Sequence, residues 1–240
     1  MHLTDTILST IAPIAFAITI IFGNFLVLLH DEGFFYAEFE RYGVHEQLPS
    51  IDVSSMHDRV IDFLEGERKE LPYDFFNKRE RDHMDDVKKM IFGVAISFWI
   101  AIFLLSAIIF YFLYQKKTEK NRPARKIAHI LSRGSFLALI ICLIVGFFAL
   151  TSFGNFFERF HQIFFDEGSY LFDPDTEKIV VMYPENLFSD FFFKLVKKIV
   201  LSSIIMLLIA FLANHVMKKR QKLGQNNKKT PSGESTNRNV

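Results

Sequence analysis

Two histidines carry the chemistry that this chain can perform near neutral pH. His83 stands in Glu80-Arg81-Asp82-His83-Met84-Asp85-Asp86-Val87 and His161 in Phe160-His161-Gln162-Ile163-Phe164-Phe165. An ordinary imidazole titrates near pH 6.5, so it can accept a proton in one step and return it in the next. Asp82, Asp85 and Asp86 lie within a helical turn of His83, and any of them is a candidate to orient its ring. The aromatic neighbours of His161 instead favour a desolvated, neutral base. His83, Asp86 and His161 could also ligate a metal, but no His-x-x-x-His pair or cysteine cluster sets a geometry, and neither metal nor cofactor is expected. The sequence has no Gly-x-Ser-x-Gly elbow and no glycine-rich phosphate loop, which argues against a serine hydrolase or a nucleotide-driven enzyme. His45 and His57 read as loop residues and His30 as the end of a span. With His2, His129 and His215 near the opposite side, these are taken as structural or exposed.

Membrane helices must position the two rings. Half of the 240 residues are hydrophobic, 29 of all residues are Phe, and the apolar residues fall in long uncharged blocks, a composition that excludes an ordinary soluble domain. About 20 apolar residues, rising about 1.5 Å each, cross a hydrocarbon core of about 30 Å. Four stretches qualify: Ile7 to Leu29, Met90 to Tyr114, Ser135 to Phe153 and Ile199 to His215. Pro13 and Gly23 are tolerable inside the first. Met1 to Ser9 lacks Lys and Arg, and the run that follows exceeds a signal-peptide core, so a retained anchor is expected. His83 precedes the second stretch and His161 follows the third, which places both imidazoles at a similar height on one side of the bilayer. Lipid ester groups occupy that layer.

The side follows from charge. The loop Gln115 to Gly134 carries Lys116, Lys117, Lys120, Arg122, Arg125, Lys126 and Arg133 against Glu119 alone, and the tail carries Lys218, Lys219, Arg220 and Lys222. Both belong in the cytoplasm, with both termini, so residues 30–88 and 154–194 form the extracytoplasmic segments. These hold most of the acidic residues, and the net charge of +1 conceals a divided molecule for which nucleic acid is an unsuitable partner. Residues 218–240 are expected to be a basic, disordered tail. The single cysteine, Cys142, lies mid-span, which excludes an intramolecular disulfide and marks it as a packing residue.

Local signals define the outer elements. Ser54-Ser55 followed by Met56, Val60, Phe63 and Leu64 predicts a short amphipathic helix that stops near Gly66. Asn77-Lys78-Arg79-Glu80 resembles a capping box, from which a helix runs unbroken through His83 into the second span. Phe153, Phe157, His161 and Phe164 recur at helical spacing and predict that the third span continues upward. Ser169 to Phe172 and Lys178 to Met182 read as two strands about the polar turn Asp173 to Glu177. The expected fold is therefore mainly α, with four transmembrane helices beneath a small α/β extracytoplasmic cap containing a β-hairpin.

Several words of this sequence are similar to those of a known family. Arg79-Glu80-Arg81-Asp82-His83-Met84-Asp85-Asp86-Val87-Lys88, Phe160-His161-Gln162-Ile163-Phe164-Phe165, Phe172-Asp173-Pro174 and Tyr183-Pro184-Glu185 resemble the lipoprotein intramolecular transacylases (Lit) of Gram-positive bacteria. The resemblance runs from about Ile7 to Met217, and Tyr170 departs from it where many relatives carry Trp. It implies a plasma-membrane enzyme that moves the sn-2 acyl chain of a diacylglyceryl-modified lipoprotein to the α-amino group of the lipoprotein's own N-terminal cysteine. The product is a lyso-form, N-acylated lipoprotein. It also implies that His83 and His161 are the functional histidines. One would deprotonate the amine, whose ordinary pKa is near 8, while the other polarises the ester carbonyl or protonates the departing glycerol oxygen. His83 is assigned the first role and His161 the second, with exchange allowed. Asp85 or Asp86 would orient His83. Arg159 and Tyr170 are candidate oxyanion or positioning groups, with alternative readings as a lipid-phosphate contact and an interfacial anchor. Partners would be lipoproteins and membrane lipids. Competing readings are a non-enzymatic membrane adaptor or sensor, and an acyltransferase or phospholipase acting on free phospholipid.

Overall fold

The computed structural model describes residues 3–115 and 122–229. The described chain is helical: α1 (Leu3–Leu29), α2 (Glu32–Arg41), α3 (Val44–Gln47), α4 (Val53–Glu65), α5 (Lys78–Tyr114), α6 (Arg122–Thr151), α7 (Phe153–Phe164), α8 (Ile179–Met182) and α9 (Glu185–Lys229). Helices α1, α5, α6 and α9 are long and apolar enough to cross a membrane. Helix α1 packs against the other three. Small residues permit the close approach: Ala12 and Ala15 on α1 meet Ala101 on α5, and Ala17 meets Ala138 and the buried Cys142 on α6. Gly134 of α6 presses on α1 so tightly that an added Cβ would lie 2.7 Å from the Pro13 carbonyl oxygen. Around this seam, Trp99, Phe103, Phe110, Phe147 and Phe211 stand exposed, as lipid-facing side chains must.

The cap grows out of the bundle without a boundary. Leu28 of α1, Met84 and Ile91 of α5 and Leu187 of α9 share one buried cluster with Phe35 and Phe39 of α2, Val53, Val60 and Phe63 of α4, and Met182 of α8. Helix α4 presents its apolar stripe as predicted, and Gly66 ends it at φ +88°, a left-handed position that glycine adopts without a side-chain clash. Its N-cap is Asp52, whose carboxylate accepts the Ser55 N–H, rather than Ser54 or Ser55. The start of α5 is a true capping box: Asn77 accepts the Glu80 N–H at 3.0 Å, and Glu80 accepts the Asn77 N–H at 2.6 Å.

Three expectations are corrected. Among the described residues there is no strand, and the predicted hairpin is absent. Lys178 to Met182 reads as a strand because it is short and β-branched. Instead, Ile179–Met182 forms one helical turn that buries Ile179 and Met182 together, opened by the Glu80 carboxylate accepting the Ile179 N–H at 2.7 Å. The third span does not run on to His161. Ser152 adopts extended backbone (φ −167°, ψ 105°), and its hydroxyl caps α7 as a separate helix. Helix α9 continues to Lys229, where a disordered tail from Lys218 is expected. Met217 to Leu223 consists of good helix formers on an already nucleated helix. Residues 230–240 lie outside the described residues.

Candidate active site

Helix α7 is tied down by phenylalanines. Phe153 and Phe156 pack at a tilt on Phe192 of α9, with ring centroids 6.1 and 4.9 Å apart, and Phe157 meets Phe188 at 5.2 Å. This seating carries His161, one turn beyond Phe157, to the side of α5 on which His83 lies. The two imidazoles are stacked, with centroids 6.2 Å apart and planes inclined by 20°. His83 sits on the first two turns of α5, above the apolar stretch that begins at Met90, and only 7 % of it is exposed. Phe165 and Phe172 pack on its ring at 4.7 and 5.3 Å, while Tyr170 covers His161 at 5.1 Å.

This dry setting decides protonation. Desolvation, reinforced by the field of His161, pushes the His83 pKa down to about 4, against a small opposing pull from Asp86. Desolvation also lowers the pKa of His161, against the opposing effect of its backbone hydrogen bond to Phe157. Both rings are therefore neutral at pH 7. The Phe157 carbonyl can only accept, so the contact at 2.8 Å requires that Nδ1 of His161 donates. Its Nε2 is left with a free lone pair. Nδ1 of His83 is buried with no hydrogen-bond partner among the described residues.

The supporting residues expected from sequence are arranged differently. Asp82 pairs with Lys78 at 2.5 Å and Asp86 with Lys89 at 2.8 Å, both on the outer side of α5, and Asp85 is exposed. None of the three is hydrogen-bonded to His83: lysines one turn away on the same helix take Asp82 and Asp86, and Asp85 faces outward. Arg159 donates to Gln162 at 3.0 Å on the exposed face of α7. Tyr170 alone of the four supporting candidates touches the histidine pair. Among the described residues no three metal-ligating side chains converge, so the triad of His83, Asp86 and His161 is not assembled. His57, read as a loop residue, is on α4 and buried between Phe35 and Phe39, with Nδ1 2.9 Å from the Tyr183 hydroxyl.

Sequence reasoning missed Arg79 and Glu177 as site residues, and read Glu80 only as the closing residue of a capping box. Arg79 lies one turn before His83 on the same face, a spacing that could have marked it. Glu80 is 1 % exposed and caps two helices at once. Phe165 and Phe172, which close over His83, gave no local signal beyond their aromatic type.

The family profile of the lipoprotein intramolecular transacylase Lit matches residues 10–188. No curated protein sequence matches the chain. Among solved structures, the in meso structure of the membrane integral lipoprotein intramolecular transacylase Lit from Bacillus cereus is similar, with a TM-score of 0.78 at 20% identity over 92% of this chain and 100% of that chain. Two structures of the same protein, with a histidine mutated to arginine or to alanine, each give a TM-score of 0.73 at 19% identity, covering 91% of this chain and 95% or 96% of theirs. These likenesses establish a shared fold. Because the profile spans well over half of a multi-pass membrane chain, the protein belongs to the lipoprotein intramolecular transacylase family and is an acyltransferase.

Proposed function

We propose that the chain moves the sn-2 acyl group of a diacylglyceryl lipoprotein onto the α-amino group of that lipoprotein's N-terminal cysteine, using His83 and His161. The observation that carries this reading is the stacked, neutral histidine pair, assembled from two separate helices. In the proposed step the amine nitrogen attacks the ester carbonyl carbon. The N–C bond forms, the ester C–O bond breaks, and the proton leaves nitrogen for Nε2 of His161 before passing to the glycerol oxygen. His83, neutral, donates an N–H to the carbonyl oxygen as negative charge develops there, and Tyr170 is within reach to assist. These assignments exchange the roles first expected, because the bond to Phe157 commits Nδ1 of His161 as a donor. Donor and acceptor belong to one molecule, so orientation supplies much of the rate and no external energy source is needed.

The site belongs on the extracytoplasmic face in this reading, with spans near residues 7–29, 90–114, 135–153 and 199–215, and both termini in the cytoplasm. The basic stretch 115–134 and the basic end of α9 support that orientation. Ile163, Phe164 and Leu171, strongly exposed beside the pair, suit contact with the acyl chains. The test is mass spectrometry of the N-terminal lipopeptide after incubation with wild-type protein, His83→Ala or His161→Ala, each checked for monodisperse folding in detergent. Expected is migration of one acyl group from glycerol to nitrogen at constant total mass, lost in both variants. Transfer from free phospholipid would favour an intermolecular acyltransferase. No product from any protein would favour a membrane adaptor.

A further inference from the structure

The segment between α7 and α8, residues 165–178, forms the roof over the histidine pair. Phe165 and Phe172 cover His83, and Tyr170 covers His161. One guanidinium holds that segment at three places. Nη1 of Arg79 donates to both carboxylate oxygens of Glu177, at 3.0 and 3.1 Å, and Nη2 donates to the carbonyl oxygens of Gly168, at 2.8 Å, and of Leu171. The guanidinium also lies over the Phe172 ring, 4.9 Å from its centroid. The Glu177 side chain is 6% exposed, and its carboxylate additionally accepts the Asp173 N–H at 2.8 Å, closing the polar turn on itself. Gly168, at φ +80°, is where the segment reverses to present its carbonyl to Arg79. Apart from the packing of the Phe172 ring on His83, these Arg79 contacts are what join the middle of the segment to α5, the helix that carries His83.

We infer that Arg79 is a positioning residue for acyl transfer: with Glu177 it clamps the 165–178 segment so that Phe172 and Tyr170 stay against His83 and His161. The inference rests on the acyl-transfer reading above. A planar fork suits the task, because one side chain must serve a carboxylate and two carbonyls in fixed directions. Lysine, with a single ammonium on a flexible stem, cannot reach all three at once. Without the clamp the roof rings drift from the imidazoles, water enters, and the reacting groups lose their alignment.

The experiment compares wild type with Arg79→Ala, Arg79→Lys and Glu177→Gln, and with Lys78→Ala as the control for loss of a neighbouring exposed cation. Two quantities are read. The first is lipopeptide acyl migration, separated into kcat and KM. The second is the rate at which diethyl pyrocarbonate modifies each histidine, followed by peptide mass spectrometry. Expected is a fall in kcat of about 10²-fold in Arg79→Ala, with a smaller change in KM and a partial loss in Arg79→Lys. Modification of His83 accelerates in Arg79→Ala and Glu177→Gln while His57, buried deep in the cap, stays protected. Wild-type kcat in Arg79→Ala overturns the inference. So does loss of protection at His57 together with His83, which reports loosening of the whole cap. A wild-type protein that moves no acyl group overturns the acyl-transfer reading and the catalytic role of Arg79 with it, whereas the modification rates still report whether the clamp exists.

Discussion

Varying the pH of the acyl-transfer assay probes the dry histidine pair directly. His83 is held at a pKa of about 4 instead of 6.5 because Phe165, Phe172 and the stacked His161 displace water from it. That displacement favours the neutral ring by roughly 3 kcal/mol. The proton acceptor His161 is also lowered, so its neutral form persists to pH values below 6.5. An α-ammonium with an ordinary pKa near 8 cannot hand its proton to such bases. For His161, whose pKa lies below 6.5, the transfer is uphill by more than about 2 kcal/mol. The amine must therefore reach the carbonyl already neutral, and the imidazole acts afterwards, on the much more acidic N–H of the tetrahedral adduct. At pH 7 about a tenth of an unperturbed α-amine is neutral. The rate should then climb about tenfold per pH unit below the amine's pKa and level off above it, with no inflection near 6.5. The assay is single-turnover acyl migration in detergent micelles between about pH 5.5 and 9, with two lipopeptides whose α-amines differ in basicity through a neighbouring electron-withdrawing group. The midpoint should follow the amine. A midpoint near 6.5 that is the same for both lipopeptides would mean that an ordinary, hydrated imidazole limits the rate, and would refute the reasoning.

Acid should weaken the fold before the carboxylates titrate. Both His57 and His83 are buried with pKa values of about 4, so as pH falls through 6.5 the unfolded chain takes up protons that the folded chain refuses. Stability is complete above pH 6.5 and declines toward pH 4, by up to about 3 kcal/mol per histidine. A thermal midpoint that stays level between pH 7 and 5 would contradict this, and His57→Gln should flatten the decline. Gly134→Ala places a methyl 2.7 Å from a backbone carbonyl on α1 and should cost about 1–3 kcal/mol of stability, read as a lower melting temperature. A neutral result would show that the α1 and α6 seam can widen. Asp85→Asn and Asp86→Asn should leave kcat within about twofold, since one carboxylate is exposed and the other pairs with an exposed lysine. A loss on the scale of His83→Ala would restore a carboxylate partner to that ring.

Much of the scaffold was legible without coordinates because its signals are local. Uninterrupted apolar runs identify the four long helices, since a membrane-spanning segment must satisfy its own backbone hydrogen bonds and expose side chains that tolerate lipid. The Asn77 capping box and the stripe on α4 are decided within one or two turns. The strand reading of Lys178 to Met182 failed for the complementary reason. The four-residue apolar run Ile179 to Met182 fits either period, and the distant Glu80 carboxylate opened a helical turn there.

By itself the sequence determined the mainly helical class and the four long apolar helices, and it offered the two histidines as candidates, because hydrophobic runs and helical spacing are local signals. The tertiary structure alone decided what those histidines are. Which face α7 turns toward α5 depends on the phenylalanine contacts with α9, and that rotation brings the rings to 6.2 Å. Asp86 lies three residues from His83 yet is engaged by Lys89, while Glu177, nearly a hundred residues from Arg79, closes the clamp. Burial and hydrogen-bond partners are sums over neighbours from other elements. No local pattern contains them.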